Sequence, residues 1–69
     1  MAGLANELRA HRVQRGLTQA ELAEAVGVSR KTINTIENRV FVPSTLLALR
    51  IARCLGASVH DIFMLEEDD

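Results

Sequence analysis

The 69-residue chain has no Trp, no Tyr and two Phe, so aromatics make up 3% of it. Without stacking platforms it is poorly equipped to hold unpaired bases, which argues against an RNA or single-strand binder. Its one cysteine, Cys54, excludes an internal disulfide and fits a reducing compartment. A single proline and the lack of alternating β-branched runs leave little that reads as sheet. No charged start leads into an apolar run, so no secretion signal is expected. No segment approaches the roughly 20 apolar residues that would span a membrane. His11 and His60 stand apart from any set of ligands at metal spacing. There is no nucleophile–base–orienter set and no phosphate-cradling glycine loop. These gaps argue against an enzyme, a metal site, a cofactor or a membrane protein, and favour a cytoplasmic chain.

What is present is aliphatic. Apolar residues make up 48% of the chain, with Ala and Leu abundant, as in a small helical bundle. A chain of this length forms one domain that buries only about 60% of its unfolded surface. The expected division is one domain over residues 1–65 and an acidic tail over 66–69. The formal net charge of −1 conceals an asymmetry. All eight Lys and Arg fall within residues 1–56, beside four acids, whereas residues 57–69 hold five acids and no Lys or Arg. A basic body thus carries an acidic pole, and the near-neutral total says little against binding a polyanion.

Local signals divide the chain into five helices. Leu4 to Arg15 sets Leu4, Leu8 and Arg12 at i, i+4 spacing, and Gly16 supplies a left-handed stop. "TQAE", residues 18–21, has the form of a capping box and opens a second helix that runs to about Val26 and ends at Gly27. Ser29 caps a third helix lasting to about Glu37. Pro43 makes the following stretch a connection, and Ser44 caps a fourth helix that presents Leu47, Ala48, Ile51, Ala52 and Leu55 before Gly56. "SVHD", residues 58–61, is a second capping box, opening a last helix through about Met64.

Helices two and three are joined by only "GV", which forces a sharp corner. Two helices meeting steeply through a glycine turn form a helix-turn-helix, here over about residues 18–37, whose second member lies in the DNA major groove. Ala23 is small where the helices would cross, Val28 plugs the corner, and Ile33 and Ile36 hold the third helix to the body. At 3.6 residues per turn, Lys31, Thr35 and Asn38 then point away from Ile33 and Ile36, with Asn34 beside them and Arg30 at the first turn. Arg and Lys suit guanine edges, Asn suits adenine, and Thr suits several groups including the thymine methyl. A merely solvated face would also be polar. Yet helices two and five carry an acid three residues past the cap where helix three has Thr32, and a carboxylate there would face phosphates.

The stretch "LTQAELAEAVGVSRKTINTIENRVFVPSTLLALRIARCLGASVHDIF" resembles the Cro/CI-type, phage-repressor-like helix-turn-helix of the Xre family of bacterial transcriptional regulators. The resemblance covers residues 4 to 65. It implies an all-α, five-helix, lambda-repressor-like domain that binds double-stranded DNA sequence-specifically. The implied protein is a repressor acting as a homodimer on a palindromic operator, in the bacterial cytoplasm and associated with the nucleoid through DNA. Residues matching base-reading positions are Arg30, Lys31, Asn34 and Thr35. Those matching phosphate positions are Gln19, Ser29, Asn38 and Arg39, to which Thr32 is added for the reason above. Many family members have Gly where Asn38 or Arg39 stands here, and a polar residue in place of Leu46.

Two further expectations concern packing. Arg12 continues the apolar line from Leu8, and Glu37 follows Ile33 by four, so both sit beside faces that should be covered. A charge is almost never buried alone, so the two are expected to pair, tying helix one to the end of helix three. Apolar residues beyond what the core needs, Phe41, Val42 and Leu46 with Phe63, Met64 and Leu65, are the candidates for a dimer interface. An alternative function for the same surplus is an antitoxin-type module that covers a partner protein and represses its own promoter.

Overall fold

Hydroxyl caps start four of the five helices. In the computed structural model, which describes residues 3–66, Thr18, Ser29, Ser44 and Ser58 each accept a hydrogen bond from the amide three residues on, at 3.0–3.2 Å. They open α2 (Gln19–Val26), α3 (Arg30–Glu37), α4 (Thr45–Leu55) and α5 (Val59–Ile62), and α1 (Leu8–Gln14) precedes them. Each cap satisfies an amide that the helix itself leaves unpaired. Gly27 (φ 80°) and Gly56 (φ 64°) close α2 and α4 in the left-handed conformation that side chains resist.

The amphipathic faces meet in one aliphatic core. Leu8, Leu22, Ile33, Ile36, Ile51 and Ile62 are completely enclosed, one or two from each helix, and Val26, Leu47, Leu55 and Phe63 pack around them. Buried Ala23 lets α2 and α3 approach closely, and half-buried Val28 fills their corner, its amide donating to Ala23 O at 3.0 Å.

The chain ends depart from the helices expected for them. Leu4–Asn6 is a strand, β1, paired antiparallel with Phe63–Leu65, β2, in the register Leu4↔Leu65, Ala5↔Met64 and Asn6↔Phe63. Asn6 explains why α1 starts late. Its Oδ1 accepts from the amide of Leu8, the first helical residue, at 3.1 Å, and its Nδ2 donates to Ile36 O at 2.9 Å. Helix five stops at Ile62 because a helix over 62–65 would turn apolar side chains to water, whereas extended backbone buries Phe63 and finds a partner for its amides in β1. The architecture is thus a five-helix bundle with its two ends zipped into a small ribbon. Residues 67–69 of the expected acidic tail lie outside the described residues.

The second capping box also sets a titration. The Ser58 amide, then the Ser58 hydroxyl, hold the Asp61 carboxyl below its usual range, helped by His11 and His60 and opposed slightly by desolvation. A carboxylate with a lowered pKa stabilises the fold fully above its unfolded value and loses that effect as acid protonates it. Asp61→Ala should therefore unfold at lower urea than the parent at neutral pH, and the gap should close in acid. In the core, Ile51→Ala should cost about 2–5 kcal/mol, read from the same urea midpoints.

Candidate nucleic-acid interface

With Ile33 and Ile36 enclosed, α3 has no freedom to choose which face it shows. Arg30, Lys31, Asn34 and Asn38 are exposed on the other side, with Ser29 at the cap, and Thr32 and Thr35 are half-buried. The helix carries no acid in its first turn. Its N-terminus therefore keeps the positive end of its dipole unopposed from within.

Behind this ridge lies a continuous polar network. Arg12 Nε donates to Glu37 Oε2 at 2.6 Å and its Nη2 to Oε1 at 3.3 Å, with 11% and 5% of the two side chains exposed. The remaining Arg12 nitrogen, Nη1, donates to Leu17 O at 2.8 Å. Glu37 Oε1 also accepts from Gln19 Nε2 at 3.0 Å, and that same nitrogen reaches Asn34 Oδ1 at 3.2 Å. Asn38 Nδ2 donates to Asn34 Oδ1 at 3.3 Å. A line of contacts thus runs from α1 under the end of α3 and out onto its exposed face.

This network changes what several candidate residues offer. Gln19 sits in the first turn of α2 as expected, but its amide nitrogen is turned onto Asn34 and Glu37 rather than left free. Asn34 Oδ1 already has two donors, so its Nδ2, bonded to no described residue, is the end left for a ligand. Thr35 Oγ1 gives its proton to Thr32 O at 2.9 Å, leaving a lone pair and a methyl group. Ser29 and Thr32 share their hydroxyls at 3.0 Å. Arg39, directly after the cap residue Asn38, takes φ 62°, the left-handed conformation that glycine supplies without strain.

The apolar candidates divide. Val42 (64% exposed) and Leu46 (59%) lie open to solvent, as does Leu49 (53%), which spacing had not singled out. Leu65 is exposed and Met64 half-buried. Phe63 must be withdrawn from the interface set: it is 6% exposed and belongs to the core, because β2 points it inward. Phe41 lines a cleft against α3 with Val40, a feature that sequence spacing does not reveal. Among the described residues no helix is long and apolar enough to cross a membrane.

Comparison with known proteins follows the same outline. Residues 8–62 match the helix-turn-helix family. A relative described as an uncharacterised HTH-type transcriptional regulator of Methanothermobacter thermautotrophicus is 55% identical over 62 residues, covering 88% of this chain and 90% of its own. Among solved structures, the clp gene regulator ClgR of Corynebacterium glutamicum superposes with a TM-score of 0.75 at 39% identity, over 78% of this chain and 57% of that one. The biofilm master regulator SinR, solved in complex with DNA, superposes with a TM-score of 0.71 at 30% identity, over 77% of this chain and 86% of that one.

Removing one partner of a nearly enclosed ion pair strands the other's charge. Glu37→Gln should therefore lower stability by roughly 3 kcal/mol, measured by chemical denaturation. An unchanged midpoint would show that Arg12 is not stranded when its partner loses its charge.

Proposed function

The chain belongs to the Cro/CI-type, Xre-like helix-turn-helix family of transcriptional regulators, and on that premise we propose that it is a repressor that grips a palindromic operator as a homodimer with α3 in the major groove. One observation carries the proposal: a short helix, locked by two enclosed isoleucines and a nearly enclosed ion pair, presents Arg30, Lys31, Asn34 and Asn38 on its free side. A solvated face needs no such backing.

The side chains divide by role. Arg30 and Lys31 donate to guanine edges, Asn34 donates through Nδ2 to a base acceptor, and Thr35 offers its methyl and lone pair. Ser29, Thr32, Asn38 and Arg39 flank that set and meet phosphates, and Gln19 orients Asn34 while its own helix start faces the backbone. Arg39 supports this division. A non-glycine residue held at positive φ costs on the order of 1–2 kcal/mol, a cost that makes sense where the cation is needed at that turn. Leu46 and Leu49, one turn apart on α4 and both more than half exposed, form the twin-to-twin contact with Val42. Two copies so joined set their α3 helices about one DNA turn apart, roughly 34 Å. Occupying a promoter in this way blocks transcription without any further domain.

Two measurements test the assignment. On a panel of operator variants, Lys31→Ala should lose about 1–3 kcal/mol at one base position and relax preference there, whereas Arg39→Ala should weaken every sequence alike. A dimer neutralising about six phosphates should show a log–log salt slope near −5. Identical profiles for the two variants, or an affinity indifferent to salt, would refute the roles given. Leu46→Asp should shift the protein toward monomer in sedimentation; a parent that is already monomeric on and off DNA would remove the homodimer.

A further inference from the structure

Beside the cationic ridge lies an apolar hollow whose outer wall, Val40 and Phe41, the roles above do not use. Ser29, Lys31, Thr32, Thr35, Val40 and Phe41 enclose an open cleft of about 330 Å³. Its outer wall is unusual for a surface meant to meet a polyanion: Val40 is 77% exposed and Phe41 48%. The wall is also fixed in place. Thr35 O accepts both the Val40 amide at 2.9 Å and the Phe41 amide at 3.2 Å, folding the turn back against α3 just after the left-handed Arg39. Thr35 spends its hydroxyl proton inside the helix, which leaves carbon as much as oxygen on its outer side.

Resting on the DNA-binding reading, we propose that this cleft is a reader of the pyrimidine C5-methyl group. The hollow is continuous with the face assigned to the major groove, and Lys31 belongs to both. Along the edges of base pairs in that groove, donors and acceptors dominate, and the apolar feature is the methyl at C5 of thymine. The same methyl occurs on 5-methylcytosine, so two bases share the chemistry that Val40, Phe41 and the Thr35 methyl would recognise. Lys31, on the rim, remains free to bond the neighbouring base or phosphate. Val40 and Phe41 thereby become specificity-determining residues outside the recognition helix.

The test begins with an operator selected from random duplexes by the full chain. Each thymine is then replaced in turn by uracil, which removes only the methyl, and each cytosine by 5-methylcytosine, which adds it. At one position per half-site, uracil should weaken binding about fourfold, the worth of one buried carbon, or 5-methylcytosine should strengthen it by as much. The first result assigns the cleft to thymine and the second to the modified base. Val40→Ser, at a residue 77% exposed and outside the core, and Phe41→Ala should each bind the methylated and unmethylated duplexes alike. Firm operator binding with no methyl-sensitive position would overturn the inference and leave the DNA reading standing. Methyl sensitivity that survives in both variants would place the reader elsewhere. Failure to select any duplex would overturn both readings together.

Discussion

The exposed face of α3 depends on one contact beneath it, the pairing of Arg12 with Glu37. Glu37 is the last residue of α3 and Arg12 lies near the end of α1, so the pair fixes the far end of α3 to an element outside the helix-turn-helix. Both side chains are nearly enclosed, and desolvating two charges consumes much of what their attraction returns. Further hydrogen bonds offset part of that loss. The guanidinium also reaches Leu17 O, and the carboxylate also accepts from Gln19. What the pair contributes is direction rather than surplus stability. A hydrophobic contact in the same place would let α3 roll, but a two-pronged guanidinium–carboxylate contact has one orientation.

That direction is passed outward. Gln19 Nε2 divides itself between Glu37 and Asn34, so the buried charge and the exposed amide share a hydrogen-bond donor. Asn38 steadies Asn34 from the next turn. The groups proposed to meet DNA are therefore ordered beforehand, which reduces the side-chain entropy that binding must overcome. The cations are treated differently. Arg30 and Lys31 make no hydrogen bond or ion pair with any described residue, so none of those residues neutralises the charge proposed for guanine or phosphate.

Much of this was legible in the residues because it is written in local chemistry. Thr18, Ser29, Ser44 and Ser58 announce helix starts through a hydroxyl three residues before the amide it caps, and Gly27 and Gly56 announce ends through their tolerance of positive φ. The spacing of Ile33 and Ile36 settles which face of α3 is free, and the poor fit of Arg12 and Glu37 on apolar lines is what marks them for each other. The failures share a physical reason too. β1 and β2 are three residues long, too short for alternation to show, and each exists only because the other end of the chain pairs with it. The same holds for Gln19. Its position at a helix start is local information, but the turn of its amide toward Asn34 is decided by a residue 15 positions away. Phe63 counts as surplus only if the last helix runs through about Met64; extended backbone sends it inward.

The end ribbon then acquires a purpose beyond closing the molecule. An eight-residue helix such as α3 is far below the length at which an isolated helix holds its shape in water, so its geometry must come from tertiary ties. Three are visible, and they act on different parts of it. Ile33 and Ile36 anchor the middle, Arg12 grips the carboxylate of the last turn, and Asn6 Nδ2 takes Ile36 O, a carbonyl of that turn which helix bonding alone does not fully satisfy. Asn6 can do so only because β1 holds it in extended geometry, and β1 is held by β2. The two strands, remote in sequence from the residues proposed to read the groove, thus help set the attitude of the helix that carries them. Ties from α1, α2 and β1 converge on that one helix.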